Sequence, residues 1–177
     1  ALFLVQCLNG LQLGVLLFLI SAGLTLVFGV MNFINLAHGV QYMLGAYLAV
    51  LFYGLTGNFF AALGLALVSA LLLGIVLEMV VFRPLYARDH LDQVLATFGV
   101  ILFLNEAVRY VWGPAPLSLP MPEALSSSFV LMPGLLYPVY RIALIAAGLA
   151  VALLLYVLVT RTRAGMLVRA GATNPDM

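Results

Sequence analysis

The chain begins with a long stretch that carries no formal charge. No Arg, Lys, Asp or Glu occurs in the first 77 of its 177 residues. Over the whole chain 66% of residues are hydrophobic and 7% are charged, and the mean hydropathy is +1.22. Globular domains carry roughly 25% charged residues, and a water-soluble fold cannot bury this much apolar surface. Lipid must therefore be the solvent, and the sequence predicts an integral membrane protein.

The apolar stretches are long enough to cross a bilayer as helices, which takes about 20 residues. The first is longer than the core of a signal peptide, so it is interpreted as a membrane span. We therefore expect an all-α polytopic helical bundle in a single transmembrane domain, residues 1–160. Since the chain starts without Met and ends just after a basic motif opens, we expect it to be the N-terminal part of a longer protein. The predicted spans are about 2–28, 37–53, 59–82, 93–112 and 140–160.

The placement of arginine predicts how these spans are oriented. Arg83 and Arg88 lie in one loop, and three more arginines follow residue 160, whereas the proline-rich segment Gly113–Pro138 contains no basic residue. Cytoplasmic loops of membrane proteins are enriched in Lys and Arg. The first loop and the tail are therefore predicted to be cytoplasmic and the proline-rich segment external. Counting back along the spans places the N-terminus outside.

Composition also excludes several kinds of site. The net charge is +1 and no basic patch is present, so binding to nucleic acid is not expected. The single cysteine, Cys7, allows neither an internal disulfide nor a cysteine zinc cluster. No cysteine or carboxylate lies near His38 in the sequence, so a metal site is not expected there. Spacings typical of a nucleophile with its base are absent, and an enzyme is not expected.

A polar interruption separates the first two spans, near residues 29–41. Irregular backbone at membrane depth survives only where it is buried in protein or faces a water-filled cavity, and broken helices of transporters commonly mark substrate sites. The alternative is a short turn at the inner face between two helices. The polar residues that we take as candidates for a substrate path are Asn32, Asn35, His38 and Gln41.

The fourth span carries a second polar group. Thr97 and Asn105 are candidates for the same path. Asn105 and Glu106 lie four and three residues before Arg109, so either can meet it on one helix face. Ionisable residues inside a span usually face a cavity or a partner. The milder interpretation is an interfacial ion pair at the outer mouth. Glu78, near the end of the third span, has a similar choice between a local partner and a proton relay.

At this point the residues resemble a known family over nearly the whole chain. The order and spacing of several short motifs are similar to the N-terminal half of branched-chain amino acid ABC transporter permeases. The tail after residue 160 resembles the opening of that family's cytoplasmic coupling loop. The motifs are Leu8–Gly14, Gly23–Gly29, Ile34–Gly39, Met43–Tyr47, Phe82–Leu85, Ala96–Gly99 and Arg161–Gly165 with the residues that follow it.

The resemblance implies a membrane subunit of a bacterial binding-protein-dependent importer in the inner membrane. It further implies a second permease subunit, two cytoplasmic ATPase subunits that bind the ATP, and a periplasmic binding protein that delivers leucine, isoleucine, valine or a related solute. The chain itself has no phosphate-binding loop, so no cofactor of its own is expected. The implied contacts with the ATPase are Arg163, Gly165, Arg169, Ala170, Ala172 and Asp176.

Two questions stay open at this stage. Relatives that carry urea, amides or other amino acids share these motifs, so the solute is not decided by them. An ion-coupled secondary transporter or channel, which would use Glu78, Glu106 and His38 as proton or cation groups, is the alternative function.

Overall fold

The computed structural model describes residues 2–31, 33–132, 135–163 and 165–166. Within these residues five helices are long and apolar enough to cross a membrane, which confirms the predicted all-α polytopic fold. A short helix, α5, precedes the last of them. The helices are α1 (Leu2–Met31), α2 (His38–Thr56), α3 (Phe59–Leu77), α4 (His90–Trp112), α5 (Glu123–Ser126) and α6 (Val139–Arg161).

The chain divides into two compact units. The terminal unit combines residues 1–32 with 121–177, and the central unit comprises Phe33–Pro120. Helices α1, α5 and α6 therefore belong to the terminal unit, and α2, α3 and α4 to the central unit.

In the central unit α2 and α3 form an antiparallel hairpin. Gly57 ends α2 with φ of +63°, a conformation that glycine adopts without steric cost. Asn58 caps α3, since its side-chain oxygen accepts hydrogen bonds from the N–H groups of Phe60 at 3.0 Å and Ala61 at 3.2 Å. Ala62 and Ala66 are buried, as expected if small residues allow close helix packing.

Beyond α3 the chain continues as one wider helical turn followed by one tighter turn. Glu78–Phe82 form a π-helical turn and Arg83–Leu85 a 3-10 turn, and α4 begins at His90. The charged loop predicted at 83–92 is thus partly helical. Pro84 lies in the first turn of its 3-10 segment, where the missing N–H of proline leaves no hydrogen bond broken.

In the terminal unit α1 and α6 lie side by side and run parallel. Arg141, near the start of α6, reaches Asn9 near the start of α1. Further along, Gly148 faces Val15, and still further Ala22 and Tyr156 line one groove. The N-terminal ends of the two helices therefore lie on the same side. This is what the predicted topology requires, because the first and fifth of five spans cross in the same direction.

The segment predicted as a proline-rich external loop has secondary structure of its own. After α5 the strands β1 (Ser128–Met132) and β2 (Leu135–Pro138) pair antiparallel, with Phe129 opposite Tyr137. Part of this predicted loop is therefore a β-hairpin. The hairpin was not predicted because this segment contains six prolines, and proline interrupts the pattern of a strand. Pro138 is accommodated because it lies at the very end of β2, just before α6.

Many large apolar side chains of the described helices are exposed. Examples are Leu67 and Leu71 on α3 and Leu153 on α6. In water such a surface would aggregate, but in a bilayer it is covered by acyl chains or by other helices. The exposure therefore agrees with the prediction that lipid is the solvent.

Candidate functional site

The interruption between α1 and α2 is held by side chains rather than by secondary structure. Of the described residues, 33–37 are non-helical, whereas Asn32 lies outside the described part of the chain. The N–H of Ile34 donates to Gln93 Oε1 at 3.2 Å, and that of Leu36 to Thr97 Oγ1 at 3.4 Å. The N–H of Ala37 donates to Asn35 Oδ1 at 2.9 Å. Backbone groups released by the missing helix are thus bonded inside the protein.

Gln93 connects this interruption to the segment that precedes α4. Its side chain is 3% exposed, and its Nε2 donates to the carbonyl oxygens of Leu85 at 3.3 Å and Arg88 at 3.1 Å. Its Oε1 accepts from Ile34 N–H. We call these three contacts the Gln93 clamp. Because the amide both donates and accepts, one side chain bonds two segments that are distant in sequence.

Aromatic packing closes the same region. Phe33 is almost fully buried, with ring centroids 5.7 Å from Phe82 and 5.2 Å from Tyr86, the latter in an edge-to-face arrangement. The Tyr86 hydroxyl donates a hydrogen bond to the Glu78 carboxylate. Burial raises the pKa of Tyr86, and the hydrogen bond to Glu78 and its charge raise this pKa further. Glu78 therefore has the local partner that one interpretation of the sequence predicted.

The other candidates on α2 are closer to open space. His38, the first residue of α2, and Gln41 are both half-buried. Gln41 borders a cavity of about 120 Å³ between α2 and α3, which is otherwise lined by apolar residues and small residues such as Ala70 and Gly74.

The structure does not bring the four polar residues of α4 together. Thr97 is fully buried against the interruption, where its hydroxyl also donates to Gln93 O at 2.8 Å. Asn105 Nδ2 donates to Ile101 O at 2.9 Å, so the contact of Asn105 with Arg109 considered from the sequence is not formed. In an apolar helix the carbonyl four residues back is the nearest acceptor for such an amide. Glu106 and Arg109 do pair, 3.4 Å apart and with side chains 72% and 69% exposed.

The tail predicted to contact the ATPase is described only at its start. Arg163 is exposed, and the N–H of Gly165 donates to Thr162 Oγ1 at 3.1 Å. Arg169, Ala170, Ala172 and Asp176 lie outside the described residues.

A long apolar groove runs between α1 and α6 in the terminal unit. Its volume is about 510 Å³, and two of its hydroxyl groups, those of Thr25 and Thr160, bond back into their own helices. Thr25 donates to Ser21 O at 2.8 Å, and Thr160 to Tyr156 O at 2.6 Å. The groove therefore presents little polarity to a ligand.

Two polar residues with structural contacts, Gln93 and Arg141, were not identified from the sequence. Gln93 gave a weak signal, as a lone amide just after a charged loop, and nothing in the sequence indicated that its partner would be Ile34. Arg141 gave a clearer one, since it is an arginine at the outer end of an apolar span, against the positive-inside pattern. Among the described residues, no group of three or more His, Cys, Asp or Glu lies together as a metal site would require.

Among the described residues, five helices long and apolar enough to cross a membrane define a multi-pass helical membrane protein. Residues 6–177 match the family described as "Branched-chain amino acid transport system / permease component". The chain belongs to this family, and it is a multi-pass protein of the plasma membrane.

Individual relatives support this assignment. The chain is 28% identical over 188 residues to the high-affinity branched-chain amino acid transport system permease protein BraD of Pseudomonas aeruginosa, covering 99% of this chain and 61% of the relative. It is 31% identical over 163 residues to the permease protein LivH of Escherichia coli K12, covering 81% and 53%. The chain thus spans between about half and three fifths of the length of these relatives. No solved structure matches it significantly.

Proposed function

We propose that this chain forms the N-terminal part of the permease subunit of an ABC importer, which moves branched-chain or related amino acids across the bacterial inner membrane. The observation that supports it most is the family match over residues 6–177, and the names of BraD and LivH describe the same role in their own systems. Nothing in the described geometry favours the ion-coupled carrier, because Glu106 is paired with Arg109 at an exposed surface and Glu78 is bonded to Tyr86.

The proposed importer has further subunits. A second permease subunit, two ATPase subunits that bind and hydrolyse ATP, and a periplasmic binding protein complete it, and the chain contributes no cofactor of its own. The ATPase contact is proposed at the tail, through Arg163, Gly165, Arg169, Ala170, Ala172 and Asp176. A basic segment directly after the last span supports this position, since it marks the cytoplasmic side.

The substrate path is proposed along Asn32, Asn35, His38, Gln41, Thr97 and Asn105. The contacts of these residues suggest two different roles, one in holding the backbone and one in contacting the solute. Asn35 and Thr97 accept hydrogen bonds from backbone N–H groups of the interruption, so their proposed role is to hold its conformation. His38 and Gln41 are half-buried, and Gln41 borders a cavity, so we propose that these two contact the ammonium or carboxylate of the solute.

The importer itself is tested with the full-length complex in proteoliposomes. We expect ATP hydrolysis to rise when a leucine-loaded binding protein is added. A variant with the charges of Arg169 and Asp176 reversed should lose this stimulation while the complex still assembles. Leucine flux that needs no ATP, in wild type and variant alike, would show that the protein is a secondary carrier instead.

These two proposed roles are tested by substitution. His38→Ala and Gln41→Ala should each raise the KM for leucine uptake about tenfold, the loss of one hydrogen bond to a charged group, with little change in thermal stability. Asn35→Ala and Thr97→Val should instead lower thermal stability, because they remove the partners of the buried Ala37 N–H and the partly buried Leu36 N–H. Unchanged uptake kinetics in the first two variants would remove His38 and Gln41 from the path.

A further inference from the structure

Arg141 keeps an uncompensated positive charge at one end of the terminal unit. Its Nη1 donates to Asn9 Oδ1, its Nε donates to the Tyr140 hydroxyl at 3.1 Å, and its Cζ lies 5.8 Å from the centre of the Tyr140 ring. The Tyr137 hydroxyl lies 3.5 Å from the same Asn9 oxygen. All three partners are neutral, so they orient the guanidinium without cancelling its charge.

Among the described residues, no acidic side chain neutralises the charge of Arg141 either. In the described part of the terminal unit the acidic residue is Glu123, which is exposed on α5 and forms no ion pair with Arg141. The other external arginine differs in this respect, because Arg109 is paired with Glu106. Arg141 is thus the described external arginine that still lacks an anionic partner.

The guanidinium also retains free donors in a useful geometry. Arginine has five N–H donors, and the contacts above use one on Nε and one on Nη1. A further hydrogen bond joins the guanidinium to the Tyr137 hydroxyl, so at least two of the five N–H donors form no described hydrogen bond. Together they present the planar fork that binds two oxygens of a phosphate or carboxylate at once.

The surroundings indicate which anion fits. Arg161 and Arg163 lie at the other end of α6, so the positive-inside rule places Arg141 at the outer face, with Tyr137 and Tyr140 in the interfacial aromatic belt. One helical turn deeper, Leu13 follows Asn9 on α1 and Leu144 follows Arg141 on α6, 58% and 40% exposed. A cation above an exposed apolar surface matches an amphiphile with an anionic headgroup.

We propose that Arg141, held by Asn9 and Tyr140, binds the phosphodiester of a phospholipid in the outer leaflet, whose acyl chains lie along the exposed leucines of α1 and α6. A free amino acid carries a carboxylate but has no acyl chains that could extend along these leucines. The site is independent of which solute the permease carries, and its failure would leave the proposed transport function untouched.

The test is native mass spectrometry of the full-length permease titrated with dioleoyl phosphatidylglycerol. Arg141→Gln should weaken the binding of this lipid about tenfold, the loss of a charge-assisted pair. Asn9→Asp should weaken it equally while the protein remains folded, because the new carboxylate pairs with Arg141 and takes the place of the phosphate. Arg109→Gln, the matched external control, should bind the lipid as the wild type does.

Three further probes separate the sources of the anion. Dioleoylglycerol, which has the same chains without phosphate, should not compete with phosphatidylglycerol. Inorganic phosphate and leucine, which have no acyl chains, should not displace it either. Equal lipid binding by wild type and Asn9→Asp would overturn the proposal, and so would displacement by leucine, which would identify a carboxylate site instead.

Discussion

Gln93 is the residue at which two distant parts of the central unit meet. It bonds the backbone of the interruption at Ile34 and the carbonyls of Leu85 and Arg88 ahead of α4. A buried amide of this kind is costly unless all of its groups are paired, and here each polar atom has a partner. The Gln93 clamp therefore makes the shape of the interruption depend on the segment before α4.

Removing the clamp should destabilise the protein. Gln93→Leu keeps a similar volume but removes the partners of the Ile34 N–H and the Arg88 carbonyl, whereas the Leu85 carbonyl still accepts from the Arg88 N–H. We therefore expect the free energy of unfolding to fall by about 2–4 kcal/mol. The matched control is Asn105→Leu on the same helix, whose amide bonds only a carbonyl of its own helix and which should change stability by less than about 1 kcal/mol. Thermal unfolding in detergent compares them, and equal losses in both variants would contradict the clamp.

Tyr86 gives a residue-scale prediction on pH. Its pKa in the folded protein is raised above the ordinary value of 10.0, so the folded state holds the phenolic proton more tightly than the unfolded state does. Its contribution to stability is complete below pH 10.0 and is lost as the pH rises through the folded-state pKa. Tyr86→Phe should flatten this alkaline loss and remove one late-forming tyrosinate from the ultraviolet titration. A tyrosinate spectrum unchanged above pH 10.0 by the substitution would contradict it.

At the scale of elements, the parallel pair α1 and α6 depends on a missing side chain. A Cβ added at Gly148 would overlap Val15 Cγ1, well inside van der Waals contact. Helices in membranes associate through such close approach of small residues, because lipid supplies no hydrophobic drive between them. Val15 cannot easily turn away, since a β-branched side chain in a helix has one strongly preferred rotamer.

Gly148→Ala should therefore push α1 and α6 apart and cost about 1–3 kcal/mol of stability. Val15→Ala, combined with it, should recover most of that loss because it removes the clashing methyl group. Gly64→Ala is the control, as a Cβ there would meet nothing within 4 Å. A double-mutant cycle measured by thermal unfolding gives the coupling energy between positions 15 and 148. A coupling energy of zero would show that the two helices do not touch here.

At the scale of the whole molecule, charge placement and helix direction agree. The N-terminal ends of α1 and α6 lie on one side, as five successive crossings require. Arg161 and Arg163 then mark the cytoplasmic end of α6. In the central unit, the interruption lies beside the charged segment before α4 through Gln93 and Thr97. Both belong to the predicted cytoplasmic side.

Cysteine labelling of intact cells tests this topology. In a variant whose native Cys7 is replaced by serine, Ser118→Cys should react with a membrane-impermeant maleimide added outside. Ala87→Cys should react only after the membrane is opened, because it lies in the segment predicted to be cytoplasmic. Both positions are exposed in the structure, so burial cannot explain a difference. The reverse pattern would invert the topology and place Arg141 inside.

Much of the architecture could be predicted from the sequence, whereas most of the polar contacts could not. The five spans and the interruption near Asn35 were predicted, because an apolar run and its break are visible along the chain itself. The β1–β2 hairpin was missed, since its short strands are flanked by prolines. The spacing also allowed Asn105 to meet Arg109, but the Asn105 amide instead donates to the nearer carbonyl of Ile101.

The sequence by itself determined that lipid surrounds this protein, how many times its chain can cross, and where its cytoplasmic charges lie. These are properties of consecutive residues, and hydropathy and charge can be counted without knowing the fold. Only the tertiary structure decided that Gln93 holds Ile34, that Gly148 admits Val15, and that Asn9 orients Arg141. Each of these depends on segments far apart in the chain, which meet only when the helices pack.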